Sequence, residues 1–268
     1  MSIKALLKKL LEKRISDRQR TPVIFPGGIF PINEFCENDV FIVGFPKSGN
    51  TLMQHIVAHL FYGINERSGR TLVNLIVPDV YANSHYFRMN NRCFFKSHDL
   101  PKPEHKKVIY IIRDGRDALV SYYHMLHNMG QTISMTDLFD GTHKIFNTTW
   151  GEHLRAWEEN PYEAEILWLK YEDLLIDKST QIKRIVDFLG LKVSEEEITN
   201  VVELTTFDHM KKLEGRDDWG RMKRGRFLDK KSFIRKGKAK IYLDEVNRES
   251  LERFESLNGE MLNKYYQS

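Results

Sequence analysis

Two rhythms of apolar positions alternate along the chain. Unbroken apolar runs at residues 40–43 (VFIV), 107–112 (KVIYII) and 166–170 (ILWLK) have the length and the β-branched content of buried strands, and 92–96 (RCFFK) is a shorter run of the same kind. Between these runs the spacing changes. In 51–62, Leu52, Ile56, Val57, Leu60 and Phe61 recur at helical intervals, and residues 116–127 (RDALVSYYHMLH) and about 179–189 read as further helices, the last stopping at Gly190. Strands alternating with helices predict an α/β protein, a three-layer P-loop-like fold with a central, mostly parallel sheet flanked by helices. The proline- and glycine-rich residues 22–38 predict a loop leading into the first strand.

Residues 1–20 form a different pattern. Ile3, Leu6, Leu7, Leu10, Leu11 and Ile15 fall on one helical face and lysines and arginines surround it, which predicts a basic amphipathic helix. Lysines interrupt every apolar run there, unlike the centre of a signal peptide. The helix reads as one that docks on the domain surface, with membrane-surface anchoring as the alternative. The expected organisation is residues 1–38 as this helix and its lead-in loop, and 39–268 as one globular domain.

Composition narrows the function classes. A chain of 268 residues with 41% hydrophobic and 29% charged residues can bury a full core, and no apolar run is long enough to cross a bilayer. Cys36 and Cys93 are its two cysteines, so a cytoplasmic, reducing compartment is expected rather than a disulfide framework. The net charge of +4 suits a small polyanion and is too scattered for nucleic acid.

Candidate chemistry lies at four places. The first is GFPKSGNT, residues 44–51, between a predicted strand and helix. Such a turn presents backbone N–H groups and a positive helix end to an anion. It is nearly the phosphate loop of kinases and ATPases, but Asn50 stands where their lysine would, and a lysine stands inside the loop at Lys47. The second is the end of VIYII, where Arg113 occupies the strand end at which magnesium-using relatives of the loop carry a metal-holding aspartate. An arginine there neutralises phosphate directly. Ser121 follows on the next helix. The third is KSH: Lys96 and His98, two apart on an extended segment, can face one site, the histidine as a general base and the lysine as a stabiliser of developing negative charge. The fourth is SFIRKG, residues 232–237, within a glycine-rich basic stretch at 214–240 that reads as a mobile loop and candidate lid.

GFPKSGNT, KSH, the run from IIRDGRD to Ser121, and SFIRKG stand in the order found in cytosolic-type sulfotransferases that use 3′-phosphoadenosine 5′-phosphosulfate (PAPS), and the chain resembles that family from about Phe41 to Gly237. LKYEDL, LTTFDHM and the spacing of Trp150, His153 and Trp157 are also similar to family segments. The resemblance implies sulfuryl transfer from PAPS to a hydroxyl or amine of a small-molecule acceptor, leaving adenosine 3′,5′-bisphosphate (PAP), with no metal. It implies Lys47 at the 5′-phosphosulfate, with Ser48, Gly49, Asn50 and Thr51 on the 5′-phosphate. It implies Arg113, Ser121, Arg235, Lys236 and Gly237 at the 3′-phosphate, and Tyr171, Thr205 and Phe233 along the adenosine. His98 matches the family's base and Lys96 a residue that assists it.

The chain departs from the family pattern at three points. Leu52 replaces a tryptophan that stacks on adenine, KAKIYLD follows RKG in place of a second glycine and GDWK, and the dimer motif of many animal members is not recognisable. His55 and His59 lie one turn apart without an evident third metal ligand. Residues 85–91 and 127–149 are expected to shape the acceptor pocket, the latter with Met129, Met135, Phe139 and Phe146 beside Asp137 and Asp140. Alternative readings are a P-loop small-molecule or nucleotide kinase, and a non-catalytic phosphonucleotide sensor.

Overall fold

The computed structural model describes residues 27–217 and 237–266. In chain order these form β1 (Gly28–Pro31), β2 (Val40–Val43), α1 (Asn50–Val57), α2 (Arg70–Ile76), β3 (His85–Arg88), β4 (Phe94–Ser97), β5 (Lys107–Ile112), α3 (Gly115–Asn128), α4 (Met135–Phe139), α5 (Trp150–Glu159), β6 (Glu165–Lys170), α6 (Tyr171–Ile176), α7 (Lys178–Leu189), α8 (Glu195–Leu204), α9 (Phe207–Asp217), α10 (Tyr242–Glu245) and α11 (Arg248–Tyr266). The predicted amphipathic helix, Phe233, Arg235 and Lys236 lie outside the described residues, as does most of the predicted lid.

The main sheet has the order β4-β2-β5-β6 and is parallel throughout. Period-two alternation divides its side chains between two cores. Phe41, Val43, Phe95, Val108, Tyr110 and Ile112 face one side with Leu119 of α3, Trp157 of α5 and Phe254 of α11. Val40, Ile42, Phe94, Ile109 and Ile111 face the other with Met53 and Ile56 of α1 and Ile182 and Ile185 of α7. This is the helix-sheet-helix layering predicted from the alternating runs.

Two local differences have physical causes. Within the predicted loop, Gly28–Pro31 pairs with β3 as an antiparallel two-stranded ribbon outside the main sheet. Its glycine and terminal proline mask a strand signal, and a strand paired on one side tolerates both. The helix predicted over 51–62 begins at Asn50, changes to π-helical winding over Ala58–Tyr62, and ends at Gly63 with φ 60°. The root of β2 is fixed by Asp39, whose buried carboxylate accepts from Arg88 Nη1 at 2.9 Å and from the Cys93 backbone N–H at 2.8 Å.

The candidate active site

Each parallel strand is followed at once by a residue of the site. Gly44 succeeds β2, His98 succeeds β4, Arg113 succeeds β5, and Tyr171 succeeds β6. Because the strands are in register, Val43 lying opposite both Ser97 and Tyr110, their carboxyl ends bring these residues to one edge of the sheet. That edge, where the chain leaves β2 for β4 on one side and returns to β5 on the other, is where open α/β sheets bind ligands.

The loop after β2 is built on positive-φ residues. Lys47 has φ 72° and Gly49 φ 110°, and the Ser48 N–H donates to the Phe45 carbonyl at 3.1 Å. Space selects glycine twice. A Cβ at Gly44 would stand 2.6 Å from the Ile111 carbonyl oxygen, and one at Gly49 would stand 2.7 Å from the Tyr171 ring. Asn50, in the kinase lysine's place, is buried, and its amide donates to the Ser97 carbonyl at 3.3 Å, tying the loop to the end of β4. Arg113 continues the cradle. Its Nη1 donates to the Lys47 carbonyl at 2.9 Å, its Nη2 to the Lys238 carbonyl at 3.4 Å, and its guanidinium lies 4.7 Å from the centre of the Tyr171 ring. The Ser48 hydroxyl, Asn50 Oδ1 and Arg113 Nε are buried with no hydrogen-bond partner among the described residues. Buried polar atoms are rarely left so, and three of them on one loop and its neighbouring arginine describe a site made for a polar ligand.

His98 is tied to the same loop. Its Nδ1 lies 2.7 Å from the Gly44 carbonyl oxygen, which can only accept, so Nδ1 carries the proton and Nε2 is the acceptor. Burial, helped by the neighbouring Lys96 ammonium, pushes the imidazole down to about 3 against the opposing Gly44 hydrogen bond and the Asp79 charge. It is therefore neutral near pH 7. Lys96 Nζ donates to Asp79 Oδ2 at 2.8 Å. Burial would raise the Asp79 carboxyl, but the ammonium, its hydrogen bond and the Tyr81 N–H together hold it below its ordinary value. Over His98 stand two half-exposed rings, Tyr81 at 6.4 Å and Phe146 at 5.6 Å between centroids, with 4.7 Å between each other.

The model of the sulfotransferase domain matches residues 37–266. The chain belongs to the sulfotransferase family. It is 29% identical over 245 residues to the amine sulfotransferase of Oryctolagus cuniculus, covering 84% of this chain and 80% of the relative. It is 26% identical over 257 residues to the flavonol 3-sulfotransferase of Flaveria bidentis, covering 84% and 82%. Among solved structures, retinol dehydratase in complex with androsterone and inactive cofactor PAP superposes with a TM-score of 0.68 at 24% identity, over 88% of this chain and 83% of that one. Mouse sulfotransferase SULT7A1 complexed with PAP gives 0.63 at 20% identity, over 87% and 86%. Both share the fold.

In this sulfotransferase the residues singled out from sequence separate into groups. Arg113 is joined to Lys47 and Tyr171, Asn50 to Ser97 and His98 to Gly44, while Ser48 and Gly49 sit in the loop between them, Lys96 is bonded to Asp79, and Thr51 lies in the first turn of α1. Leu52 packs toward the core beneath that helix. Ser121 is half-buried on α3 and makes no side-chain hydrogen bond among the described residues. Thr205 is buried, and its hydroxyl donates to the Val201 carbonyl at 2.7 Å. Gly237 has φ 59°, and a Cβ on it would stand 2.2 Å from the Phe207 ring, so Gly237 meets the LTTFDHM segment. Of the expected acceptor walls, Phe146 stands beside His98, whereas Phe139 is fully buried against Phe254 in the core.

Sequence reading missed Asp79, Tyr81 and Asp99. Asp99 accepts from Ser97 Oγ at 2.8 Å, pairs with Lys102 at 2.9 Å, and is bonded by the Tyr81 hydroxyl. Asp79 reaches the site because its segment runs along β4, with the Lys96 N–H donating to the Pro78 carbonyl at 2.8 Å. An isolated bridge carries no strand periodicity, so no local signal marked it. Asp99, adjoining KSH, was within reach.

Proposed function

We propose that this sulfotransferase uses PAPS and transfers its sulfuryl group to a hydroxyl or amine of a small-molecule acceptor, with His98 as the general base. The observation that carries the reading is the hydrogen bond from His98 to Gly44, which sets a neutral imidazole beside the phosphate loop with Nε2 as its acceptor atom. The orphaned donors of Ser48 (Oγ–H) and Arg113 (Nε–H) fit a phosphorylated donor.

When bound, the donor supplies a sulfuryl group activated by its bond to a 5′-phosphate. Gly49, Ser48, Asn50 and Thr51 hold that phosphate at the start of α1, and Lys47 offsets the charge that collects on it as PAP leaves. Arg113, with Ser121, Arg235, Lys236 and Gly237, binds the 3′-phosphate; Tyr171, Thr205, Phe233 and Leu52 lie along the nucleoside. His98 Nε2 takes the acceptor's proton as its oxygen or nitrogen bonds to sulfur, and Lys96, held by Asp79, assists the transfer. The half-exposed Tyr81 and Phe146 beside the base favour acceptors with an apolar body. Residues 39–268 carry this activity as one domain behind residues 1–38. The free Cys36 and Cys93 suit a cytoplasmic setting, and among the described residues no helix is long and apolar enough to cross a membrane.

Calorimetry in EDTA with PAP and with ADP tests the donor. PAP is expected to bind far more tightly; equal affinities or a requirement for Mg²⁺ would favour the kinase reading. A screen of phenols, alcohols and amines with labelled PAPS then identifies the acceptor.

A further inference from the structure

Helix α5 does more than cover the sheet. Trp150, His153 and Trp157 recur at three- and four-residue spacing and so share one face, and all three are buried. Each directs a ring N–H at a main-chain carbonyl of the site's edge. Trp150 Nε1 donates to the Arg113 carbonyl at 3.0 Å, His153 Nε2 to the His98 carbonyl at 3.2 Å, and Trp157 Nε1 to the Asp99 carbonyl at 3.0 Å.

The direction of the middle bond follows from its partners. The His98 carbonyl can only accept, so His153 carries its proton on Nε2. Its Nδ1 is then an acceptor, and the Tyr110 hydroxyl, 2.7 Å away, donates to it. Burial, the largest influence, pushes His153 down to about 4, so the ring holds this single neutral tautomer near pH 7. Tyr110 belongs to β5 and is itself fully buried. A central strand thus fixes the tautomer of a helix histidine, and that histidine fixes the backbone of the residue after β4.

Residues that simply filled the space under α5 would need no polar ring atoms. Three donors on one face, aimed at carbonyls just beyond the ends of β4 and β5, form a template that sets the two strand ends relative to each other. We propose that Trp150, His153 and Trp157 are positioning residues, His153 and Trp157 holding the backbone that aims His98 and Trp150 holding the backbone that aims Arg113. The proposal rests on the reading of His98 as base and Arg113 as phosphate ligand, but its geometry can be tested without turnover.

The test uses the full chain, PAP as the nucleotide probe, and nuclear magnetic resonance of ring-labelled histidines to follow the titration of His98. Its charged or titratable neighbours are Lys96, Asp79 and His153. His153→Phe should let the 98–99 backbone loosen and admit water, so the His98 titration should rise by about one unit or more toward the ordinary 6.5, while PAP affinity stays within about twofold. His153→Gln keeps a donor for the His98 carbonyl and should stay close to the wild type. Trp150→Phe should do the opposite, weakening PAP by about five- to twentyfold and leaving the His98 titration in place. Tyr110→Phe, which removes one hydroxyl and leaves the packing, should move His98 in the same direction as His153→Phe and serves if that variant does not fold. An unmoved His98 in both His153→Phe and Tyr110→Phe, equal effects of Phe and Gln at 153, or unchanged PAP affinity in Trp150→Phe would overturn the proposal. Full sulfuryl transfer by His98→Ala would instead overturn the base assignment alone.

Discussion

The His98 imidazole and the Gly44 carbonyl, 54 residues apart in sequence, are joined by a 2.7 Å hydrogen bond that ties the end of β4 to the start of the phosphate loop. The bond sets both the tautomer and the location of the base. Gly44 in turn has no room for a side chain, because a Cβ would meet the Ile111 carbonyl of the neighbouring strand at 2.6 Å. Base, loop and sheet are therefore joined in one arrangement, and holding a base in its productive geometry is itself a contribution to catalysis.

His98→Ala removes the base and leaves the Arg113 and loop contacts in place. Turnover is expected to fall by about 10²- to 10⁴-fold, with PAP affinity nearly unchanged. Single-turnover kinetics with labelled PAPS, beside calorimetry with PAP, check both halves. Full activity would mean that another base, or an already ionised acceptor, does the work.

Arg113→Ala is expected to act on binding. Losing a charge-assisted contact worth about 1.5 to 3 kcal/mol weakens PAP roughly ten- to a hundredfold, with a smaller effect on the rate at saturating donor. Arg113→Lys should recover only part of the affinity, since an ammonium cannot reproduce the planar fork that meets the Lys47 carbonyl and lies over Tyr171. Equal affinity for Lys and Arg variants would show that charge alone matters there.

How much of this could be read from the chain depends on whether the information was local. The strands at 40–43 and 107–112 were legible because both faces are buried, and burial on both faces leaves an unbroken apolar run. The phosphate loop was legible because its glycines answer to backbone geometry. β1 was not, since a two-stranded ribbon needs little apolar content. Asp79 was hidden for a similar reason: it is recruited by a Lys96 that lies 17 residues away, through backbone pairing that no periodicity announces. The face of α5 fell between these cases. The spacing of Trp150, His153 and Trp157 was visible, but that their ring N–H groups reach 37 to 58 residues back to strand ends was a property of the fold.

Acid should destabilise the protein through its buried histidines. Burial, first among the causes in each case, pushes His55 to about 3 and His105 and His153 to about 4. All three are depressed below the ordinary 6.5, so the unfolded chain binds more protons wherever the pH lies between about 6.5 and those values. Their contribution is fully present above pH 7 and is lost as the pH falls through that window, at about 2 kcal/mol for each by pH 5 as an upper estimate. Urea unfolding at pH 7.5, 6 and 5 should show a progressive fall, and His105→Gln should flatten it. Equal stability at pH 7.5 and 5 would mean that these rings are charged in the fold.

Gly49→Ala tests the loop from two directions. At φ 110° a residue with a Cβ is strained by about 1 to 3 kcal/mol, and here the Cβ would also stand 2.7 Å from the Tyr171 ring. That ring carries Arg113 on its π-face, so pushing it aside moves the phosphate-binding arginine as well. The variant is expected to unfold at lower urea and to bind PAP more weakly. The two causes can be separated with Tyr171→Ala, which removes the clash and leaves the backbone strain. If the clash matters, the double variant should be less destabilised than the sum of the singles, by about 0.5 to 2 kcal/mol. Strict additivity would assign the whole cost to backbone conformation, and Gly49 would then be required by the turn and not by the packing of Tyr171 against it.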